Sequence, residues 1–117
     1  MKTVLHEMKL KREPFEMIAS GKKIYELRLF DEKRSLVSVG DTIRFTMAED
    51  AAKTLSVKVA ALHCFPSFEV LYDTLPLLLC GYREDELVSA SYRDMEAYYS
   101  REEQDCYGVV AIEISLL

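Results

Sequence analysis

Several things are scarce in this chain of 117 residues, and each shortage excludes something. Only three cysteines occur, Cys64, Cys80 and Cys106, an odd set with no C-x-x-C spacing, so neither a disulfide framework nor a cysteine metal knot is indicated. The two histidines, His6 and His63, and Cys64 beside the second, fall at no ligand spacing, and no metal site is expected. Glycine and proline number four and three, too few for a flexible linker or a phosphate-cradling glycine loop, and no zinc-deaminase signature occurs. No cofactor is expected. No apolar run approaches the roughly 18 residues of a spanning helix, and Met1 to Glu7 turns charged too early for a signal peptide, so the expected setting is the cytoplasm, away from membranes.

Half of the residues are hydrophobic and 30% charged, enough apolar material for a core and too little charge for a disordered tail. The length suits one domain, 1–117, with no repeat or composition break inside it. Net charge is −5, which argues against indiscriminate attraction to nucleic acid over the whole surface. The distribution is uneven. Residues 1–34 hold nine Lys/Arg against six Asp/Glu, and residues 35–117 hold six against fourteen, so a contact with a polyanion belongs in the first third.

Alternation of apolar and polar residues predicts strands over Val4 to Leu10, Lys23 to Phe30, Thr42 to Met47, Thr54 to Leu62 and Tyr107 to Leu116. A short helix with Phe15, Ile18 and Ala19 as its stripe is expected after Pro14, stopped by Gly21. Ser67 is placed to cap a helix that carries Phe68, Leu71 and Tyr72 inward and ends before Pro76. Leu77 to Tyr82 reads as a buried apolar segment of open type, Ser91 to Ser100 as a helix, and Ser100-Arg101-Glu102-Glu103 as a capping box whose acidic run, with Asp105, is a solvated helix end. Strand-to-strand links are mostly too short for repeated parallel crossovers. The expected class is α+β, a mostly antiparallel or mixed sheet of about five strands that curls toward a small barrel.

The chemistry concentrates in Gly21-Lys22-Lys23-Ile24-Tyr25-Glu26-Leu27-Arg28, at a helix-to-strand junction. Period-two geometry puts Glu26 and Arg28 on one strand face, where a carboxylate orients a guanidinium whose planar donors suit phosphate or a base edge, and Lys23 adds a point charge. A surface ion pair worth at most about 1 kcal/mol is the bland reading of the same residues. Tyr25, Tyr98, Tyr99 and Tyr107 are candidate stacking faces for a base, though strand and helix tyrosines more often serve the core. Arg34 is a candidate extension of the basic rim, or a solvated loop charge.

At these residues the chain resembles the ASCH family of the PUA-like fold, whose motif G-x-K-x-x-E-x-R is matched by Gly21, Lys23, Glu26 and Arg28. The helix Pro14 to Ser20, the Val39-Gly40-Asp41 turn and the closing Tyr107-Gly108-Val109-Val110 also resemble the family in order and spacing, so nearly the whole chain is covered. The resemblance implies a barrel of five or six strands with short flanking helices and a cleft for RNA or a nucleoside-like ligand. The expected ligand-binding residues are Lys23, Glu26 and Arg28 of the motif together with the rim and stacking candidates Arg34, Tyr25 and Tyr99, and the expected assembly is a monomer or weak dimer. One branch of the family hydrolyses acetylcytidine with the motif lysine, a hydroxyl and a carboxylate, which would make Lys23 and Glu26 catalytic. That branch has threonine three residues after the lysine, where this chain has Glu26. A protein-interaction module is the third possibility.

Overall fold

The computed structural model describes residues 2–117. Its framework is one five-stranded sheet built from β1 (Leu5–Leu10), β2 (Tyr25–Leu29), β3 (Thr42–Met47), β4 (Asp50–Phe65) and β5 (Val109–Leu116), in the spatial order β1-β3-β4-β5-β2. Neighbours are antiparallel except β1 and β3, so the sheet is mixed. It curls into a half-barrel of the α+β class, with α1 (Arg12–Ala19), α2 (Phe68–Thr74) and α3 (Arg101–Tyr107) around it. Among the described residues no helix is long and apolar enough to cross a membrane, and no His/Cys/Asp/Glu group is arranged to hold a metal ion.

Hydrophobic alternation decides which residues point inside. Ile43, Phe45 and Met47 of β3 are buried while Arg44 and Thr46 are partly open, as period two requires. They meet Met8 and Leu10 of β1, Phe15 and Ile18 of α1, Val57 and Val59 of β4 and Val110, Ile112 and Ile114 of β5 in the concave core. A second core covers the convex face, where Leu27, Leu29, Val109 and Ala111 pack on Phe68 and Leu71 of α2 and on Cys80. β5 is therefore covered on both faces, which explains its unbroken Val-Val-Ala-Ile start.

Several boundaries differ from expectation for identifiable reasons. β4 runs 16 residues rather than nine, because its start is carried back to Asp50, the partner of Met47 in β3, and β5 supplies partners as far as Phe65. Pairing passes from Val59–Ile114 to Ala61–Glu113, leaving Ala60 as a bulge, so Leu62 rather than Ala61 joins the concave core. α1 begins at Arg12, ahead of Pro14, and buries Phe15 and Ile18, with Met17 rather than Ala19 partly buried beside them. Leu77–Cys80 is a 3-10 turn of which only Cys80 is buried, and Tyr92–Ala97 is a 3-10 segment rather than an α-helix. Ser67 does cap α2, its Oγ accepting from the Val70 N–H at 3.3 Å, and Ser100 with Glu103 forms the capping box of α3.

Asp41 anchors the start of β3. Its buried carboxylate accepts from the N–H groups of Val4 and Ser38 and lies 2.8 Å from His6 Nε2, which ties the first strand to the third. The hydrogen bond with His6 leads the causes that hold its pKa below the usual aspartate value, ahead of the opposing cost of burial.

Phe45 is fully buried at the centre of the concave core. Phe45→Ala is expected to cost about 3–5 kcal/mol in urea unfolding, and a loss below about 1 kcal/mol would place the ring outside the core.

Candidate functional site

The site begins where α1 ends. Gly21, at φ +81°, takes the left-handed conformation that terminates a helix without steric cost. Its N–H donates to Ile18 O at 3.0 Å and that of Lys22 to Met17 O at 2.9 Å, the pair of bonds of a Schellman cap. The N–H of Lys23 donates to the same Met17 carbonyl at 3.1 Å, and that of Ile24 to Leu79 O at 2.9 Å. The glycine and the lysine of the motif are thus locked to the helix end, and β2 starts two residues later.

Within β2 the side chains alternate. Leu27 and Leu29 enter the convex core, while Glu26 and Arg28 lie opposite Ile112 and Val110, on the concave side. Glu26 is only 3% exposed and Lys23 8%. Lys23 Nζ donates to Glu26 Oε1 at 2.8 Å, and Arg28 Nε donates to Glu26 Oε2 at 2.7 Å, so each carboxylate oxygen has its own cation. Arg28 Nη2 also donates to the Lys9 carbonyl at 3.1 Å. Because β1 and β2 are the two edges of the sheet, this bond spans the open seam of the half-barrel.

Burial pushes the Glu26 carboxyl up, but the adjacent charges and hydrogen bonds of Lys23 and Arg28 outweigh it and leave the group below its ordinary value. Arg28 is raised: burial works against its charge, and Glu26 more than compensates. The trio carries two cations and one anion, and beyond their bonds to Glu26 and the Lys9 carbonyl both Lys23 and Arg28 keep further N–H donors.

A cleft of about 590 Å³ opens over the trio. Lys9 and Lys11 border it from the β1–α1 side, and Tyr72, Tyr82, Asp94, Met95, Tyr98 and Tyr99 from the helical side. Gly81 lets Lys23 lie close: a Cβ there would stand 3.2 Å from Lys23 Cδ, and φ of +106° already disfavours a side chain. Cys80, buried beside Lys23, has its thiol pushed up to about 11 by burial, with the lysine charge partly opposing. Tyr99 packs at 5.9 Å on Phe68, and burial raises its hydroxyl pKa against the opposing charges of Arg28 and Arg34. Tyr98 is 64% exposed, with Lys11 Nζ 5.8 Å from its ring centre.

Of the residues singled out from sequence, Lys23, Glu26, Arg28 and Tyr99 come together in this cleft, and Tyr98 joins them. Tyr25 does not line it. Its neighbours in alternation, Leu27 and Leu29, share its side of β2, and its ring meets His63 edge-on at 5.7 Å over the convex face. Arg34 also lies outside the lining, 3.6 Å from Asp31, with its Nε buried and without a hydrogen-bond partner. Tyr107 is likewise absent from the lining. Sequence reasoning missed Tyr82, Asp94 and the two lysines of the rim. Ser91-x-x-Asp94 is a capping pattern that marks the local position of Asp94, but nothing local ties it to Tyr82, twelve residues earlier, whose hydroxyl it accepts at 2.7 Å.

The family model for the ASCH domain matches residues 8–117. Among solved structures, the hypothetical protein PH0355 is 33% identical at a TM-score of 0.79, with 97% of this chain and 99% of that one covered. PF0455 from Pyrococcus furiosus is 34% identical at a TM-score of 0.75, with 97% of each chain covered. The ASCH protein from Zymomonas mobilis shares the fold at 18% identity and a TM-score of 0.66, over 95% of this chain and 66% of that one. No curated protein sequence matches the chain.

Removing the shared carboxylate strands the buried Lys23 and the partly buried Arg28. Glu26→Ala is expected to cost about 3–5 kcal/mol in urea unfolding. Because the native carboxyl sits below its ordinary value of 4.5, its stabilisation is complete at neutral pH and disappears as the pH falls below that value through the native one. Unfolding midpoints measured from pH 7 down to pH 3 should therefore fall less steeply in Glu26→Ala than in the parent. Parallel curves would show that the carboxylate is not held by its partners.

Proposed function

Because the chain belongs to the ASCH domain family, we propose that its cleft binds RNA or a nucleoside-like ligand. The observation that carries this reading is the clamped trio: Glu26 satisfies one donor of Lys23 and one of Arg28, and so orients both cations toward a cleft bounded by tyrosines. The free donors of the cations suit carbonyl or phosphate oxygens. The exposed ring of Tyr98 offers a stacking face, an interaction worth about 1–3 kcal/mol per base in single-strand binders. Lys9 and Lys11 extend the positive side along the rim, in keeping with the cationic excess of the first third of the chain.

Hydrolysis of an acylated nucleoside by Lys23 and Glu26 is a weaker reading of the same atoms. A carboxylate that already accepts from two cations, and whose pKa is lowered, is a poor proton acceptor for water. The hydroxyl used in the hydrolytic branch is replaced by Glu26 itself.

Titration with nucleosides and short single-stranded RNAs tests the proposal. Arg28→Ala, checked for folding by circular dichroism, is expected to weaken binding by about 1–3 kcal/mol, roughly 5- to 150-fold. Unchanged affinity would remove Arg28 from the site. Turnover of acetylcytidine that vanishes in Lys23→Ala would overturn simple binding in favour of hydrolysis.

A further inference from the structure

The helical side of the cleft carries a hydrogen-bond chain whose direction can be assigned. Tyr82 Oη donates to Asp94 Oδ2 at 2.7 Å, and the Tyr72 and Tyr82 hydroxyl oxygens are 2.7 Å apart. A hydroxyl has one proton, and that of Tyr82 is committed to Asp94, so Tyr72 is the donor to Tyr82. Asp94 Oδ2 also accepts from the Ser91 N–H at 3.2 Å. Both phenols hold their protons at neutral pH, because burial raises the pKa of Tyr72 to about 12 and raises that of Tyr82 as well.

With both hydroxyl protons spent inside the chain, Tyr72, Tyr82 and Asp94 offer only lone pairs to anything that enters. The opposite polarity holds at the trio, where each oxygen of Glu26 already accepts from a cation, the carboxylate is buried behind them, and Lys23 and Arg28 offer only N–H groups. No hydrogen bond or ion pair joins the two sets among the described residues, although both line the same cleft. One cleft thus holds a donor pole at Lys23 and Arg28 and an acceptor pole at the Tyr72–Tyr82–Asp94 chain, each unspent on the other.

We propose that this cleft selects bases that carry an oxo group at one end of the pairing edge and an amino group at the other, namely guanine and cytosine. The oxo group meets Lys23 and Arg28, and the amino group meets the Tyr72–Tyr82–Asp94 chain. Uracil has oxygens at both ends of its edge and sets one against the acceptors; hypoxanthine keeps the oxygen of guanine but lacks its amine. A bare phosphate offers only oxygens and finds the Asp94 carboxylate opposed to it. This inference rests on the nucleoside-binding reading and narrows it.

The experiment is a titration of the whole chain with nucleoside monophosphates in two pairs that share sugar and phosphate, guanosine against inosine and cytidine against uridine, with inorganic phosphate as a separate arm. The amino member of each pair should bind about tenfold tighter or better, the scale of one well-made polar base contact, and phosphate should not displace it. Asp94→Asn keeps an acceptor for Ser91 and adds a donor to the wall. It should shrink both ratios to roughly threefold or less, mainly by weakening the amino member, with the folded spectrum intact. Equal affinity within both pairs, competition by phosphate, or ratios unmoved in a folded Asp94→Asn would overturn the selectivity while leaving nucleotide binding standing. Failure of all four monophosphates and of single-stranded RNA to bind would overturn the nucleoside-binding reading, and this inference with it.

Discussion

The arrangement depends on one buried carboxylate. Glu26 lies on the concave side of an edge strand, and its two oxygens each receive a cation. A lone carboxylate there would bear the full cost of leaving water, as would Lys23 without it. Together they form a triad that survives burial and keeps a net positive charge beside the cleft. Arg28 adds a structural duty: through the Lys9 carbonyl it links the two edges of a sheet that backbone pairing leaves open. The group that orients the positive side of the cleft also braces the seam.

Backbone geometry explains why these residues stand at these spacings. The Schellman cap at Gly21 uses the Met17 and Ile18 carbonyls in the last turn of α1 and brings the Lys23 N–H onto Met17, and the lysine stem lies beside Gly81. The two-residue step from Glu26 to Arg28 keeps both on one strand face, while Tyr25, Leu27 and Leu29 secure the strand to the convex core from the other. A motif that spans a helix end and a strand therefore combines two periodicities, and its polar members meet because each obeys its own.

The far wall of the cleft has a different origin. It comes from short 3-10 segments after α2, held by Ser91 and Asp94 capping and by packing of Tyr92, Met95 and Tyr99 on the convex core. Its polar chain draws Tyr72 from α2, Tyr82 from a loop and Asp94 from a cap. The two walls thus rest on opposite faces of one sheet, and the cleft lies where β2, an edge strand, lets them approach.

Much of the fold was legible in the sequence because strands that bury one face must alternate. β3 matches its predicted bounds, and Ser67 and Ser100 cap helices because their hydroxyls satisfy N–H groups within their own first turns. The trio was legible as well, since a motif eight residues long contains all of its members. Local pattern could not determine what depends on partners far along the chain. The bulge at Ala60 reverses which residues of β4 face the core, and only pairing with β5 reveals it. Tyr25 has the composition of a stacking residue, yet the convex core takes its side of β2. Tyr72, Tyr82 and Asp94 converge through packing across three segments. Alternation and capping are short-range constraints written into adjacent residues, whereas the direction of a wall and the company of a tyrosine are decided only when distant surfaces exclude water together.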